Sequence, residues 1–238
     1  MLQACLNGGR TRAFHLAVPY SADELSADAW AVVSSGAHEL HIHPRGADGL
    51  ESLEAGDIAA ALEAVRRSVP GIPVGVSTGA WIRPRGRARQ RSIRGWSALP
   101  DYVSVNLVED DAAEVIAFAV ERGIGVEAGL RSVRDVERFL ALPHAPRCLR
   151  ALIEIFEQDE AEALTVARAV LARLEEARSP LPRLLHGSEA TMWSLYREAL
   201  RLGLDARIGL EDGNLLPSGE TASGNADQIA AAAAMARS

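Results

Sequence analysis

The chain has 238 residues, a formal net charge of −7 and 48% hydrophobic residues, which is the length of one α/β barrel and an ordinary globular composition. The acidic balance disfavours nucleic acid as a partner, and the absence of any apolar run of 18 residues disfavours a membrane span. We interpret residues 1–6 as a strand rather than a signal peptide. Cys5 and Cys148 lie in apolar segments and are expected to be buried, reduced thiols, so the expected compartment is the cytoplasm.

Basic residues are of one kind only. All 25 are arginine, and the chain contains no lysine. A protein Schiff base requires a lysine amine, so Schiff-base aldolase chemistry and an internal pyridoxal-phosphate linkage are excluded. A carbanion intermediate would therefore need a metal ion or a hydrogen-bonding cage as its electron sink.

Short apolar runs alternate with amphipathic stretches along the whole chain. They predict strands at 3–6, 39–43, 73–77, 102–105, 125–127, 149–155, 183–186 and 205–209. Between them they predict helices at 22–35, 58–69, 93–99, 112–122, 133–140, 161–176, 190–202 and 226–236. Eight such units favour fold class α/β, a closed (β/α)8 TIM barrel in a single domain over residues 1–238. Periodicity alone leaves an open, doubly wound sheet as the alternative.

The connection after the third strand is rich in arginine, with Arg83, Arg85, Arg87, Arg89, Arg91 and Arg94 within twelve residues. One interpretation is a solvated loop. The other is an anion clamp, because guanidinium groups suit phosphate and carboxylate. Loops that follow barrel strands lie on the face where active sites form.

The strongest motif is Leu40-His41-Ile42-His43-Pro44-Arg45. Side chains two residues apart on a strand point to the same side, so His41 and His43 could converge as two nitrogen ligands of zinc. Two satisfied core histidines are the alternative for this pair taken alone.

A second motif, Gly209-Leu210-Glu211-Asp212-Gly213-Asn214, ends the eighth predicted strand. Adjacent carboxylates at a strand end point in different directions, so one can bind a metal while the other acts as a base. A helix cap or a surface turn is the alternative interpretation.

Three further strand ends carry small polar residues. Val76-Ser77-Thr78-Gly79 follows the third strand, Val103-Ser104-Val105-Asn106 the fourth, and Asn7-Gly8-Gly9-Arg10-Thr11 the first. Glu127 and His186 are weaker candidates on the fifth and seventh strands. A barrel assembles its site from such sequence-distant pieces at the carboxyl ends of its strands.

These segments resemble those of the β-keto acid cleavage enzymes, whose best-known activity is 3-keto-5-aminohexanoate cleavage. The resemblance spans nearly the whole chain in the family's order, and its specific parts are the His-x-His and Gly-Leu-Glu-Asp segments. The other matches are Leu6-Asn7-Gly8-Gly9, the continuation Gly46-Ala47-Asp48-Gly49, Val76-Ser77-Thr78-Gly79, Val103-Ser104-Val105-Asn106-Leu107, and Pro217, Gly219, Glu220, Ser223 and Asn225.

The resemblance implies a zinc-dependent barrel that exchanges a β-keto acid with acetyl-CoA, giving acetoacetate and a new acyl-CoA. It also suggests a homo-oligomer, and it admits another divalent ion in place of zinc. By analogy the metal ligands are His41, His43 and Glu211, the base is Asp212 working with Arg207, and the substrate-binding residues are Ser77, Thr78, Ser104 and Asn106.

The chain departs from the family at several points. It is shorter than members usually are, and the ends of its fifth and seventh strands match poorly, so no residue is assigned to hold CoA. Arg10 stands where the aminohexanoate enzyme carries a glutamate that contacts the distal amine of its substrate. This charge reversal predicts a keto acid with a neutral or anionic distal group.

Two other functions compete with this one. Metal-dependent hydrolases on barrels also use a His-x-His strand, but commonly the first strand, with later histidines and in some a bridging lysine. A degenerate barrel that binds a ligand without catalysis is the third hypothesis, because of the poor matches on strands five and seven.

Overall fold

The computed structural model describes residues 1–237, and its eight strands form a closed barrel in the order β1 to β8. Neighbouring strands pair in parallel, as the predicted TIM barrel requires, and fold class α/β is thereby confirmed. The strands are β1 (Leu2–Cys5), β2 (Glu39–Ile42), β3 (Val74–Ser77), β4 (Tyr102–Asn106), β5 (Gly125–Leu130), β6 (Arg150–Ile155), β7 (Arg183–Gly187) and β8 (Asp205–Ile208).

A helix follows each strand, as the alternating sequence pattern predicts. The helices are α1 (Ala22–Ser34), α2 (Ala55–Ser68), α3 (Arg87–Arg94), α4 (Ala112–Glu121), α5 (Val133–Leu140), α6 (Glu160–Glu176), α7 (Met192–Leu202) and α8 (Asn225–Met235). Seven of them agree with the predicted positions to within three residues at each end. Among residues 1–237, none is long and apolar enough to cross a membrane.

The third helix is the exception, because α3 covers Arg87–Arg94 rather than the predicted 93–99. The prediction begins the helix at residue 93 and interprets the arginines before and within it as a solvated loop or an anion clamp. Arginine is a good helix former, and Arg89 and Ile93, one turn apart, form the buried side of α3. Much of the arginine-rich connection is therefore helical.

Strands in this barrel are buried along nearly their whole length, and only the first residue of β2, β5, β7 and β8 is partly exposed. All six residues of β6 are buried, and so are the four of β1. Continuous burial is typical of a parallel sheet whose outer face is covered by helices. It explains why the strands appear as unbroken apolar runs rather than as alternating patterns.

Serine side chains cap the starts of two helices. Ser21 and Glu24 form a reciprocal capping box at α1, and Ser132 accepts a hydrogen bond from the backbone of Asp135 at α5. Ser188 precedes a short 3-10 turn at Glu189–Thr191 and makes no side-chain cap.

The backbone divides into two compact units, one of residues 1–101 with the segment from 208 onward, and one of residues 102–207. In the first unit, His41 of β2 stands opposite Cys5 of β1 and Gly75 of β3. In the second unit, Asn106 pairs in register with Gly129, and Glu154 with His186. The single-domain assignment of residues 1–238 stays a prediction.

Candidate metal centre

His41, His43 and Glu211 converge in the first unit, and their donor atoms all lie within 4.8 Å of one another. The two Nε2 atoms of the histidines are 3.1 Å apart. The carboxylate oxygens of Glu211 lie 3.9 Å from His41 Nε2 and 3.5 Å from His43 Nε2. Both imidazoles are almost completely buried. Two imidazole nitrogens and one carboxylate are a donor set that suits zinc and leaves room for a further ligand.

His43 lies just beyond the end of β2, and Asn7 fixes its backbone there. The amide of Asn7 donates to the carbonyl of His43 at 2.8 Å and accepts from its N–H at 2.9 Å. The same amide donates to the carbonyl of Pro19 at 3.1 Å. These bonds replace the strand ladder that ends at Ile42, so the imidazole of His43 starts from a fixed backbone.

Glu51 holds the ring of His43 from the other side, with its Oε1 atom 2.6 Å from Nδ1. Burial disfavours the charged imidazole, but the carboxylates of Glu211 and Glu51 outweigh it and raise the pKa of His43 to about 9. Burial alone would raise the pKa of Glu51, yet its contacts with His43, Trp81 and Arg45 lower it. A carboxylate on the far nitrogen of a histidine sets the tautomer that leaves Nε2 for a metal.

Trp81 connects Glu51 to the loop after β3. Its indole N–H donates to the two carboxylate oxygens of Glu51 at 3.3 and 3.2 Å. The ring lies so close to Gly79 that a Cβ there would stand 2.5 Å from ring atoms. Sequence analysis missed Glu51 and Trp81, because neither stands at a spacing from the His-x-His motif that indicates a ligand set.

Glu211 is positioned by close backbone packing. A Cβ on Gly8, which has φ of +50°, would stand 2.5 Å from the Cγ of Glu211, so only glycine fits beneath it. Asn225 accepts from the N–H of Leu210 at 2.7 Å and donates to the carbonyl of Leu6 at 2.8 Å. The same amide donates to Asp28 at 2.6 Å. Asn225 thus ties the segment of Glu211 to the end of β1.

Asp212 is buried and accepts a hydrogen bond from the thiol of Cys5, with 3.0 Å between Sγ and Oδ2. Cys5 and Cys148 are both buried and form no disulfide, as predicted. The contact gives Cys5 a role in the site that its apolar surroundings did not indicate. It holds one oxygen of the carboxylate that the resemblance names as the base.

Arg10 reaches the same segment from the β1 loop. Its Nε donates to the backbone carbonyl of Glu211 at 2.9 Å, and its guanidinium lies 4.2 Å from the centre of the Phe14 ring. Arg45 braces this loop by donating to the carbonyls of Gly8 at 2.9 Å and Arg10 at 2.6 Å. The side chain of Arg10 is therefore held beside the candidate ligand Glu211.

Ser77 and Thr78, two predicted substrate contacts, lie at the carboxyl end of β3 in the first unit. The hydroxyl of Ser77 accepts from the N–H of Gly79 at 3.3 Å. Thr78 is fully buried, and its carbonyl accepts from Nε of the buried Arg89 at 2.6 Å. Arg89 is thus a structural arginine that fixes the loop carrying these two residues.

The remaining predicted site residues lie in the second unit, where Ser104, Asn106 and Arg207 are all buried. Asn106 donates to Glu109 at 3.2 Å. Burial would raise the pKa of Glu154, but His186 and the positive charges of Arg207 and Arg131 lower it. His186, a weak candidate in the sequence, has its Nε2 atom 3.7 Å from Glu154.

Glu127, the other weak candidate, belongs to a buried ion cluster. Arg150 lies 3.1 Å from Glu127 and 3.5 Å from Asp205, and it stands in register with Glu127 across β5 and β6. Arg150 and Asp205 are the first residues of their strands. Residues at the amino end of a barrel usually serve stability rather than chemistry.

The fold and the site define a class, namely TIM-barrel proteins with a candidate metal centre. In this chain two histidines and a glutamate converge at the ends of β2 and β8. Comparison with known proteins identifies the family. The model of the beta-keto acid cleavage enzyme family matches residues 1–169 and 156–238, and the chain belongs to this family.

One curated relative is the protein named 3-oxoadipate:acetyl-CoA acetyltransferase from Cupriavidus necator. It is 30% identical over 240 residues, covering 92% of this chain and 81% of that protein.

Solved structures share the fold at low identity. The apo structure of ObcA superposes with a TM-score of 0.70 at 16% identity, covering 92% of this chain and 61% of that one. A ternary complex of ObcA with a C4-CoA adduct and oxalate gives the same TM-score and identity, with 63% of its chain covered. This chain thus spans less than two thirds of the length of ObcA. The 3-dehydroquinate dehydratase from Aquifex aeolicus has a TM-score of 0.61 at 12% identity, covering 98% of each chain.

Proposed function

We propose that this protein is a metal-dependent β-keto acid cleavage enzyme that condenses a β-keto acid with acetyl-CoA and releases acetoacetate and a new acyl-CoA. The observation that carries the proposal is the convergence of His41, His43 and Glu211 within 4.8 Å, in a chain of this family. Support for the co-substrate comes from the relative, whose name includes acetyl-CoA. The proposed route is a Claisen-type condensation, CoA transfer and retro-Claisen cleavage.

The donor set fits a divalent metal. Two buried Nε2 atoms 3.1 Å apart and a carboxylate within 3.5 and 3.9 Å of them form a cluster with three ligand atoms facing one point. Zn²⁺ is the proposed ion, and another divalent ion is the alternative, because imidazole and carboxylate suit several of them. A bound metal would act as a Lewis acid toward the keto oxygen and carboxylate of the substrate, which supplies the electron sink that lysine cannot.

Asp212 is the proposed general base. It takes a proton from the carbon between the keto and carboxylate groups, and the resulting enolate attacks the thioester carbonyl of acetyl-CoA. The thiol of Cys5 holds Oδ2 of Asp212 at 3.0 Å, which fixes the orientation of the carboxylate. Arg207 is proposed to work with the base by supplying positive charge toward the developing oxyanion.

Substrate contacts are assigned to Ser77, Thr78, Ser104 and Asn106, with Arg10 selecting the distal group. Arg10 is anchored beside Glu211, so a fixed positive charge lies next to the proposed metal ligands. The relative's name includes 3-oxoadipate, a keto acid with a second carboxylate. We therefore propose a β-keto acid whose distal end is anionic.

The wider assignment follows from the same function. The partners are the small-molecule keto acid and acetyl-CoA, without nucleic acid or membrane, and the proposed compartment is the cytoplasm. We propose a homo-oligomer, as the family resemblance suggests.

The test is to incubate the purified, metal-loaded chain with acetyl-CoA and a panel of β-keto acids that differ only in the distal group. Acetoacetate and the new acyl-CoA should appear together in equal amounts. The rate should be highest with an anionic distal group and should fall for a cationic one. Equal rates for cationic and anionic keto acids would contradict the proposed role of Arg10.

Two results would overturn the function itself. If the keto acid is hydrolysed without consumption of acetyl-CoA, the protein is the metal-dependent hydrolase considered above. If the metal-loaded protein converts no keto acid in the panel, the degenerate barrel is favoured. Metal analysis of the wild type and of the double variant His41→Ala and His43→Ala shows whether the centre binds metal where we place it.

A further inference from the structure

The arginine segment, residues 83–94, carries positive charge that the proposed reaction has not used. It contains six arginines and no acidic residue, in a chain whose net charge is −7. Arg83 and Arg89 make structural contacts. Arg83 pairs with Asp48, and the buried Arg89 donates to the carbonyl of Thr78.

Arg85, Arg87 and Arg91 are exposed. Within the part of the chain that the structure describes, none of these three forms an ion pair. Arg85 is oriented, because its Nε donates to the carbonyl of Trp81 at 2.9 Å. Arg87 and Arg91 stand one turn apart on α3, so their side chains leave the helix on the same face. The three guanidinium groups therefore present charge to an outside ligand.

A cleft of about 880 Å³ connects this segment with the surroundings of the candidate metal centre. Its lining includes Glu51 as well as Arg83, Pro84 and Arg85. The carboxylate of Glu51 lies 2.6 Å from the ring of His43. An elongated ligand in the cleft could thus reach toward the metal ligands while its other end lies at the arginines.

We propose that Arg85, Arg87 and Arg91 bind the phosphate groups of CoA, while the pantetheine arm lies in the cleft. This inference rests on the proposed function, which makes acetyl-CoA the second substrate. Guanidinium groups bind phosphate through paired, charge-assisted hydrogen bonds. CoA combines a charged, phosphorylated end with a long neutral arm that ends in the thioester. Arg85 lines the same cleft as Glu51, and Arg87 and Arg91 follow on α3.

Four acidic residues also line the cleft, namely Asp48, Glu51, Glu54 and Asp57, and partners offset the charge of the first two. Asp48 is paired with Arg83, and Glu51 is bonded to His43 and Trp81. The proposed phosphate contacts lie on α3 and the turn before it, where no acidic residue occurs.

The experiment measures binding to the full chain by calorimetry, with CoA, dephospho-CoA and phosphate-free pantetheine as probes. The triple variant Arg85→Gln, Arg87→Gln and Arg91→Gln should bind CoA at least about tenfold more weakly than the wild type. Its affinity for pantetheine should equal that of the wild type. Dephospho-CoA shows which share of the loss belongs to the 3′-phosphate.

A matched control replaces three exposed arginines elsewhere, with Arg67→Gln, Arg134→Gln and Arg147→Gln. It removes the same net charge and should leave the affinity for CoA within about twofold, since a general field effect is screened by salt. Equal affinity of the wild type and the triple variant for CoA would overturn the inference, and so would a wild type that does not bind CoA. If CoA binds through these arginines but no acetoacetate forms, the inference stands and the proposed function fails.

Discussion

Two regions of this protein that hold buried charge are built differently. In the second unit, Arg150 lies between the carboxylates of Glu127 and Asp205, so the cluster contains its own cation. In the first unit, His41, His43 and Glu211 bring together groups that all donate electron pairs to metals. There burial is outweighed by the carboxylates of Glu211 and Glu51, which raise the pKa of His43 to about 9.

This difference in charge balance predicts different effects of substitution in the two regions. In a buried ion pair the two opposite charges compensate each other, and removal of one partner lowers the free energy of unfolding. In a cluster of metal-binding donors the electron-pair donors face one another without a cation, so a bound metal ion stabilises the cluster. The two regions should therefore respond to substitution in opposite ways, one through activity and one through stability.

The largest expected effect is on activity in the metal cluster. His41→Ala removes one of three donors, and the loss of several kcal/mol of transition-state stabilisation from a metal should lower kcat/KM on the order of 1,000-fold. Acetoacetate formation and bound metal measure the effect. His144→Ala is the control, and a His41→Ala variant that keeps its metal and its rate would contradict the donor assignment.

The ion cluster should show the opposite response. Arg150→Met leaves the fully buried Glu127 without its cation and should lower the free energy of unfolding by about 3–5 kcal/mol, without changing metal affinity per folded molecule. Denaturant unfolding measures it. Combining Arg150→Met with Glu127→Leu should restore most of the loss. The control Arg168→Met, at a side chain 59% exposed, should cost about 0–1 kcal/mol.

A third substitution tests whether Glu51 supports metal binding through its contact with His43. Glu51→Gln removes the charge that fixes the tautomer of His43, so metal affinity should fall about 10- to 100-fold, while thermal unfolding of the metal-free protein changes little. Chelator competition measures the affinity. Glu54→Gln alters a neighbouring carboxylate with no contact to His43, and a similar loss in both variants would argue against a specific role for Glu51.

Substitution of two glycines with positive φ distinguishes the effect of backbone strain from a displacement of Glu211. Gly8→Ala should cost about 1–2 kcal/mol of stability from its left-handed backbone, and it should also weaken metal binding about tenfold, because its Cβ would displace Glu211. Gly71→Ala has the same kind of strain, with φ of +84° and nothing within 4 Å of the added atom. It should lower stability alone. Equal metal affinity in the two variants would show that Gly8 does not position Glu211.

The smallest expected effect is a pH dependence at Asp28, which supports Asn225 near Glu211. Burial raises the pKa of Asp28 to about 6, with the hydrogen bond from Asn225 opposing the shift. Between about pH 4 and 6 the unfolded chain is ionised there while the folded chain keeps the proton, so this group lowers stability as pH rises. Asp28→Asn should lack that decline and gain about 1–2 kcal/mol at pH 7, less than the roughly 3 kcal/mol of the full shift because the side chain is partly exposed.

Unfolding curves of wild type and Asp28→Asn between pH 4 and pH 8 measure the effect. The two proteins should be nearly equal at pH 4 and should separate as pH rises to 6. A constant difference across this range would contradict the role of Asp28.

Local patterns were enough to predict the barrel and the centre of the site. Eight alternating runs follow from the side-chain periods of strands and helices, which are properties of neighbouring residues. His41 and His43 share a face for the same reason, and the barrel rule then brings strand ends together, which is how Glu211 could be expected near them. The third helix was misplaced because its buried side is half arginine, and an apolar pattern cannot find Arg89.

Only the tertiary structure decided which contacts fix the ligands. Glu51, Trp81 and the thiol of Cys5 reach the site through chain reversals and strand pairings that no local spacing encodes. The partner of a buried polar group depends on which distant segment packs against it, and that is a property of the whole fold. The sequence by itself therefore determined the kind of barrel and the candidate donor residues, and the packing determined how those side chains are held.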